Sequence, residues 1–256
     1  MMLKKTVNFL TNTKKLYSKS KSDIYLDNIL GKYKHDNRSN WSWGCEVNKK
    51  NNVFEVKYLE MGGYYYMNGD EMIHEVKNTI KHNNLSVNPE LLICRGGSDY
   101  NENFFEYFKE HVEYLDLSNT DLYKGQLEKF IDGISKFNKL KYLFLRNIHI
   151  NKIPDNLPSS LIYLDVSGNY IKNYESLNKY PNLKVLAIND SIDHNTNEYF
   201  KDLIIDNVEY LDIRSLYEWK DKHNKLGSEE TKFIKNFTNL KHVITNNSQT
   251  EYNDYW

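Results

Sequence analysis

One stretch constrains the fold of this chain more than any other. Leu161-Ile162-Tyr163-Leu164-Asp165-Val166-Ser167-Gly168-Asn169-Tyr170-Ile171 satisfies the pattern L-x-x-L-x-L-x-x-N-x-L at every fixed position once Val and Ile stand in for Leu. Its opening half recurs at 112–117, 140–145, 183–188 and 208–213, and weaker copies lie at 56–61, 89–94 and 240–245. Each copy alternates apolar and outward positions like a β-strand, and one such strand cannot bury its apolar side alone. Neighbouring copies must therefore stack into one continuous core, with about eight units in all.

On these motifs the chain resembles the leucine-rich-repeat family over about residues 53–247. The resemblance implies an α/β solenoid: a curved parallel β-sheet on the concave face, with helices and irregular segments on the convex face. Asn169 alone carries the family's ladder asparagine. Thr120, Ile148, Ser191 and Leu216 stand at its counterparts, which predicts looser and uneven turns. The run Leu157-Pro158-Ser159-Ser160-Leu161 is similar to the short repeats of bacterial effector proteins that end in a ubiquitin ligase domain.

Spacing between successive central residues, from Leu59 to Val243, ranges from 21 to 33 residues, so the convex connections must vary. Apolar residues at helical intervals predict helices over 71–80 and 127–134. Pro154 and Pro158 predict an extended or 3₁₀ connection over 153–160. Residues 41–47 alternate like a strand and 48–52 offer a turn, which predicts an N-terminal cap hairpin over 41–55. The array then runs over 56–247, with a C-terminal cap or tail over 248–256. Residues 1–40 carry no repeat and are expected to form a helical extension or to be partly disordered.

Composition narrows the function. The chain of 256 residues is 39% hydrophobic and 27% charged, enough apolar material for a folded array. A formal charge of -1 lacks the broad positive field that tracks phosphate backbones, so no nucleic-acid partner is expected. The opening residues lack the long apolar run and cleavage site of a signal peptide. No stretch reaches the roughly 20 apolar residues of a membrane span, so no membrane partner is expected. Cys45 and Cys94 cannot make a multi-bridge framework or a zinc site, which points to a reducing, cytoplasmic compartment.

Strand alternation also sorts the concave face into columns. Tyr58, Tyr114, Tyr142, Tyr163 and Tyr210 share the first with Leu91, Val185 and His242. Asp116, Phe144, Asp165 and Asp212 share the second with Glu60, Ile93, Ala187 and Ile244. Arg95, Arg146 and Arg214, three of the four arginines in the chain, fall in the third. Tyrosine and arginine are enriched at protein interfaces, which makes these residues the expected contact with an unidentified protein partner. Two structural readings stay open: the tyrosines stack as a ladder, and the aspartates neutralise the arginines. The aspartates are expected to be solvated contact residues on an open sheet, and reversing the arginines to Glu is expected to remove binding while leaving the fold intact.

No cofactor, metal or catalytic group is expected. Cys94 occupies a core position, the histidines lack ligand spacing, and 61–63 and 95–97 read as turns leaving the strands rather than phosphate loops. The expected function is a noncatalytic protein-protein interaction module. The alternative is a substrate-recognition or regulatory subunit of an enzyme complex, of ubiquitin-ligase receptor or phosphatase regulator type, with residues 1–40 recruiting the enzyme.

Overall fold

The computed structural model describes residues 42–48, 53–60, 70, 71, 73, 74, 76–78, 85–96, 100–122, 126–191, 195–214, 232–245 and 249–251, with backbone alone for 42–48, 53–58, 60, 85–87 and 249–251. Their strands form one sheet whose spatial order equals their order in the chain. β1 (Ser42–Asn48) and β2 (Val53–Glu60) make the expected antiparallel hairpin. β3 (Leu85–Ile93), β4 (Tyr114–Asp116), β5 (Tyr142–Phe144), β6 (Tyr163–Asp165), β7 (Val185–Ala187), β8 (Tyr210–Asp212) and β9 (His242–Ile244) follow, each parallel to the strand before it. β10 (Gln249–Glu251) turns back antiparallel to β9. The result is a mixed α/β array with a long parallel sheet, compatible with a solenoid. The proposed tail residues 252–256 and the extension 1–40 lie outside the described residues.

Register follows the sequence pattern position by position. Leu59, Leu92, Leu115, Leu143, Leu164, Leu186, Leu211 and Val243 are successive partners, and each is buried. A one-residue slip would turn that whole column to the opposite face, at about 1.5–3 kcal/mol for each large apolar side chain exposed. Cys94 lies in the same core, a small buried thiol.

Helices back the column on one side. α1 (Glu102–Phe108) starts where the Asn101 side chain accepts a hydrogen bond from the Phe104 N–H at 3.1 Å, a helix not anticipated from the sequence. α2 (Leu127–Ser135) is the helix anticipated over 127–134. The stretch anticipated over 71–80 has helical backbone at residues 70, 71, 73, 74 and 76–78, and its remaining residues lie outside the described set. Phe104, Phe105, Phe130 and Phe137 interlock between α1 and α2 with edge-on rings. A Cβ on Gly133 would lie 2.0 Å from the Phe105 ring, so only glycine lets the two helices approach this closely.

Further along, the backing becomes irregular. Residues 153–160 are not helical, as the prolines require, and the Tyr180 hydroxyl holds them by donating to the Pro154 carbonyl and accepting from the Leu157 N–H. The 3₁₀ turns Glu175–Lys179 and Lys232–Asn236 flank α3 (Thr196–Tyr199), and Tyr174, Phe200 and Phe233 stack behind the last strands at 4.1 and 4.9 Å.

Every described strand from β3 to β7 ends in the same turn. The third residue past it, Gly96, Asn119, Asn147, Gly168 or Asp190, has φ between 53° and 69°. Only Gly, Asn and Asp visit this left-handed region readily, which accounts for the residue types. Next to it, the Asn169 amide oxygen accepts from the N–H groups of Ile148 and Ile150, while its nitrogen donates to the carbonyls of Leu145, Val166 and Ser167. Asn169 thus satisfies the turn of the preceding repeat, where Ile148 has no polar side chain. Thr120 reproduces only the bond to the carbonyl before its turn, that of Leu117. The turns are as uneven in hydrogen bonding as the missing asparagines imply.

Candidate functional site: the second face of the sheet

The face opposite the helices carries the first two columns in the anticipated register, and Arg95, Arg146 and Arg214 each stand two residues past the end of β3, β5 and β8. Tyr58, Leu91, Tyr114, Tyr142, Tyr163, Val185, Tyr210 and His242 are successive partners, as are Glu60, Ile93, Asp116, Phe144, Asp165, Ala187, Asp212 and Ile244. Tyr58 takes its place in the backbone register, but its side chain lies outside the described set.

From β4 to β6 the close ring contacts run across the two columns rather than along one. Phe144 lies 4.8 Å from Tyr114 and 4.9 Å from Tyr163, closer than the Tyr114–Tyr142 and Tyr142–Tyr163 separations of 6.3 and 6.4 Å. Phe144 therefore serves as the wedge that fixes its tyrosine neighbours. At the far end Tyr210 stacks on His242 at 4.9 Å.

Burial overturns one expectation. The aspartates are not solvated contact residues: Asp116, Asp165 and Asp212 are 1%, 3% and 1% exposed. Tyr114, Tyr163, Tyr210 and Phe144 are buried as well, and of the proposed contact residues with described side chains only Tyr142 and the three arginines reach solvent to an intermediate degree. A carboxylate this deep needs partners, and each has them. Asp116 Oδ1 accepts from the Ser118 N–H and Asp165 Oδ1 from the Ser167 N–H, both at 3.0 Å. Arg95 Nε meets Asp116 Oδ2 at 2.6 Å, Arg146 Nε lies 3.7 Å from Asp165 Oδ2, and Arg214 Nε meets Asp212 Oδ1 at 2.8 Å. Arginine neutralising aspartate, the structural alternative left open by the sequence, is thus realised at all three sites.

Two hydroxyls missed from the sequence complete the network. Ser118 Oγ accepts from the Arg146 N–H at 3.3 Å and Ser167 Oγ from the Asn189 N–H at 3.0 Å, tying each repeat to the next. Their signal is the repeated Asp-x-Ser of 116–118 and 165–167.

Burial also sets the electrostatics, where the sequence had suggested solvated carboxylates on an open sheet. Loss of solvation raises the Asp165 carboxyl, with Arg146 opposing it. The same cause pushes Asp212 up to about 7, against the opposing Arg214 N–H, Arg146 and Asn189. Arg146 is held more firmly charged, first by Asp165 and then by Tyr163, Asp116 and Asp212. It is the cation around which the acidic column is organised.

The groove that gathers other titratable groups lies on the helical side, lined by Asp70, Ile73, His74, Lys77, Asn103, Glu106 and Tyr107. Asp70 accepts from Asn101 and Asn103, Glu106 pairs with Lys109 and Lys136, and Lys77 lies 5.5 Å over the Tyr107 ring. Among the described residues no three metal-ligating side chains come together, and no helix is long and apolar enough to cross a membrane. No known family model matches the sequence, and no curated protein matches it.

Proposed function

We propose that the chain is a leucine-rich-repeat protein and acts as a noncatalytic module that holds a partner protein against the concave face of its sheet. The carrying observation is the arginine column. Arg95, Arg146 and Arg214 stand at one register position, are anchored from below by buried carboxylates, and keep 22–25% of each side chain exposed. A guanidinium already fixed loses little conformational freedom on binding, which makes it a good anchor for carbonyl or carboxylate acceptors of a partner. The tyrosines and aspartates form the layer that holds the arginines, and Tyr142 adds contact area beside them. The complete consensus turn at Asn169 and the uninterrupted leucine column support the repeat family. Cys94 as a buried thiol suits a reducing, cytoplasmic compartment.

The test uses the full chain as bait in extract from its source cell, beside a variant carrying Arg95→Lys, Arg146→Lys and Arg214→Lys with an unchanged melting temperature. Lysine keeps the charge and loses the fork of donors. A protein retained by the parent and lost by the variant supports the reading, whereas equal retention moves the contact off this face.

A further inference from the structure

Acids alternate with apolar residues along the second column, which reads Ile93, Asp116, Phe144, Asp165, Ala187, Asp212 and Ile244 on successive strands. The position two residues further on alternates out of step with it, as Arg95, Ser118, Arg146 and Ser167. Each of the first two acids therefore takes its guanidinium from the repeat before it. The third acid breaks this pattern. Asn189 stands where that arginine would, and Arg214 stands where the serine would and reaches back to Asp212 on its own strand, with Nε 2.8 Å from Oδ1.

Asn189 is 5% exposed and its carboxamide donates to Asp212, yet its Oδ1 is buried with no hydrogen-bond partner. An ionised carboxylate has acceptors alone, so Asp212 in that state cannot satisfy this oxygen. A protonated carboxyl can: its O–H donates to the amide oxygen while its other oxygen keeps the amide N–H, which closes a ring of two hydrogen bonds. Arginine has donors alone, so the same proton takes from Arg214 an acceptor site that it holds on the ionised acid.

We propose that Asp212 and Asn189 form a proton-operated catch, in which uptake of one proton closes the Asp212–Asn189 pair, opens the Asp212–Arg214 pair and leaves the Arg214 guanidinium no longer balanced by Asp212. The Asp212–Arg214 pair lies within one repeat, so opening it parts no two repeats, whereas the Arg95–Asp116 and Arg146–Asp165 pairs each join two. The titratable groups facing Asp212 are Tyr210 and Arg214 on its own strand, His242 on β9, Tyr163 and Asp165 on β6 and Arg146 past β5, while β7 meets it with Ala187 and Asn189. Loss of solvation is the largest influence on the carboxyl and raises it to about 7, so the catch operates close to neutral pH. Below that pH the proton is on and the face gains one positive charge; above it the ion pair is closed. The consequence for binding, a tighter hold on an acidic partner surface at lower pH, rests on the protein-binding reading above; the catch itself does not.

NMR on the full chain tests the catch without any partner. The Asp212 carboxyl carbon, the Asn189 side-chain amide and the Arg214 Nε–H are followed from about pH 5 to about pH 8, with the Arg95 Nε–H, which meets Asp116 from the neighbouring repeat, as the internal reference. One shared midpoint near 7 is expected for Asp212, Asn189 and Arg214, with hydrogen-exchange protection of Arg214 Nε relative to Arg95 Nε falling several-fold on the acid side. Asp212→Asn, neutral at every pH and equipped with one donor end and one acceptor end, should keep that ratio near its low value throughout. A midpoint for Asp212 in the usual carboxylate range, an Asn189 amide that does not move with it, or a titration that leaves the Arg214-to-Arg95 ratio unchanged would overturn the inference. Partner capture is scored separately, so failure of either reading is visible on its own.

Discussion

Arg95 and Asp116 stand on neighbouring repeats, 21 residues apart, with the guanidinium Nε 2.6 Å from a carboxylate that is 1% exposed. The acid is the buried partner and the arginine its counter-ion, so the arginine column is part of the fold as well as a candidate contact surface. Arg95→Glu is therefore expected to lower stability by about 3–5 kcal/mol, the cost of stranding a buried charge. Urea unfolding of Arg95→Glu beside Arg95→Gln/Asp116→Asn checks this: the double variant should recover much of the loss. This replaces the expectation that charge reversal spares the fold.

Stability should depend on pH through Asp212. Its carboxyl is raised to about 7 in the folded chain, above the usual carboxylate range of the unfolded one, so the folded state holds the proton more tightly. That contribution is complete below about pH 4 and is lost as pH rises to 7. Asp165, raised in the same direction, adds to the effect. Asp212→Asn holds no titrating proton, so the stability difference between variant and parent should shift in favour of the variant from pH 4.5 to 7.5. A difference independent of pH would refute the assignment.

Asn169→Ala should be among the costliest single changes. It leaves two N–H groups and three carbonyls of a buried turn without that amide. At about 1–3 kcal/mol for each buried group not rescued by water, a loss of about 3–5 kcal/mol is expected. Thr120→Val, which removes one hydroxyl bond in the equivalent turn, should cost about 1 kcal/mol. Equal midpoints for the two variants in guanidinium unfolding would contradict this ranking.

Gly168→Ala combines two penalties. Its φ of +68° costs an L-residue about 1–2 kcal/mol, and the added Cβ would lie 1.8 Å from Asn147 Oδ1. Moving Asn147 aside breaks its 2.9 Å bond to Asn119. A double-mutant cycle with Asn147→Gly separates the two: the clash should disappear in the pair and the backbone cost should remain.

Strand register, the α2 helix, the proline-bearing connection and the antiparallel pairing of β1 with β2 were all legible in the sequence, because alternation and helical spacing are local signals that the leucine positions repeat. α1 was not, since its three phenylalanines sit among polar residues and its start depends on one Asn101 side-chain bond. The columns of the second face were read correctly as positions and wrongly as environments. Alternation says which way Asp165 points, but burial depends on what lies above the sheet and on Arg146 reaching over from the neighbouring repeat.

The central residues of successive strands keep their partners although 21 to 33 residues separate them along the chain. Among the described residues the connecting segments pack on the helical side, where the α1–α2 repeats contrast with the proline-bearing one. Insertions and deletions there can accumulate, by descent or by engineering, without moving a guanidinium on the opposite surface, whereas a single added residue within any three-residue strand would reverse everything that follows it.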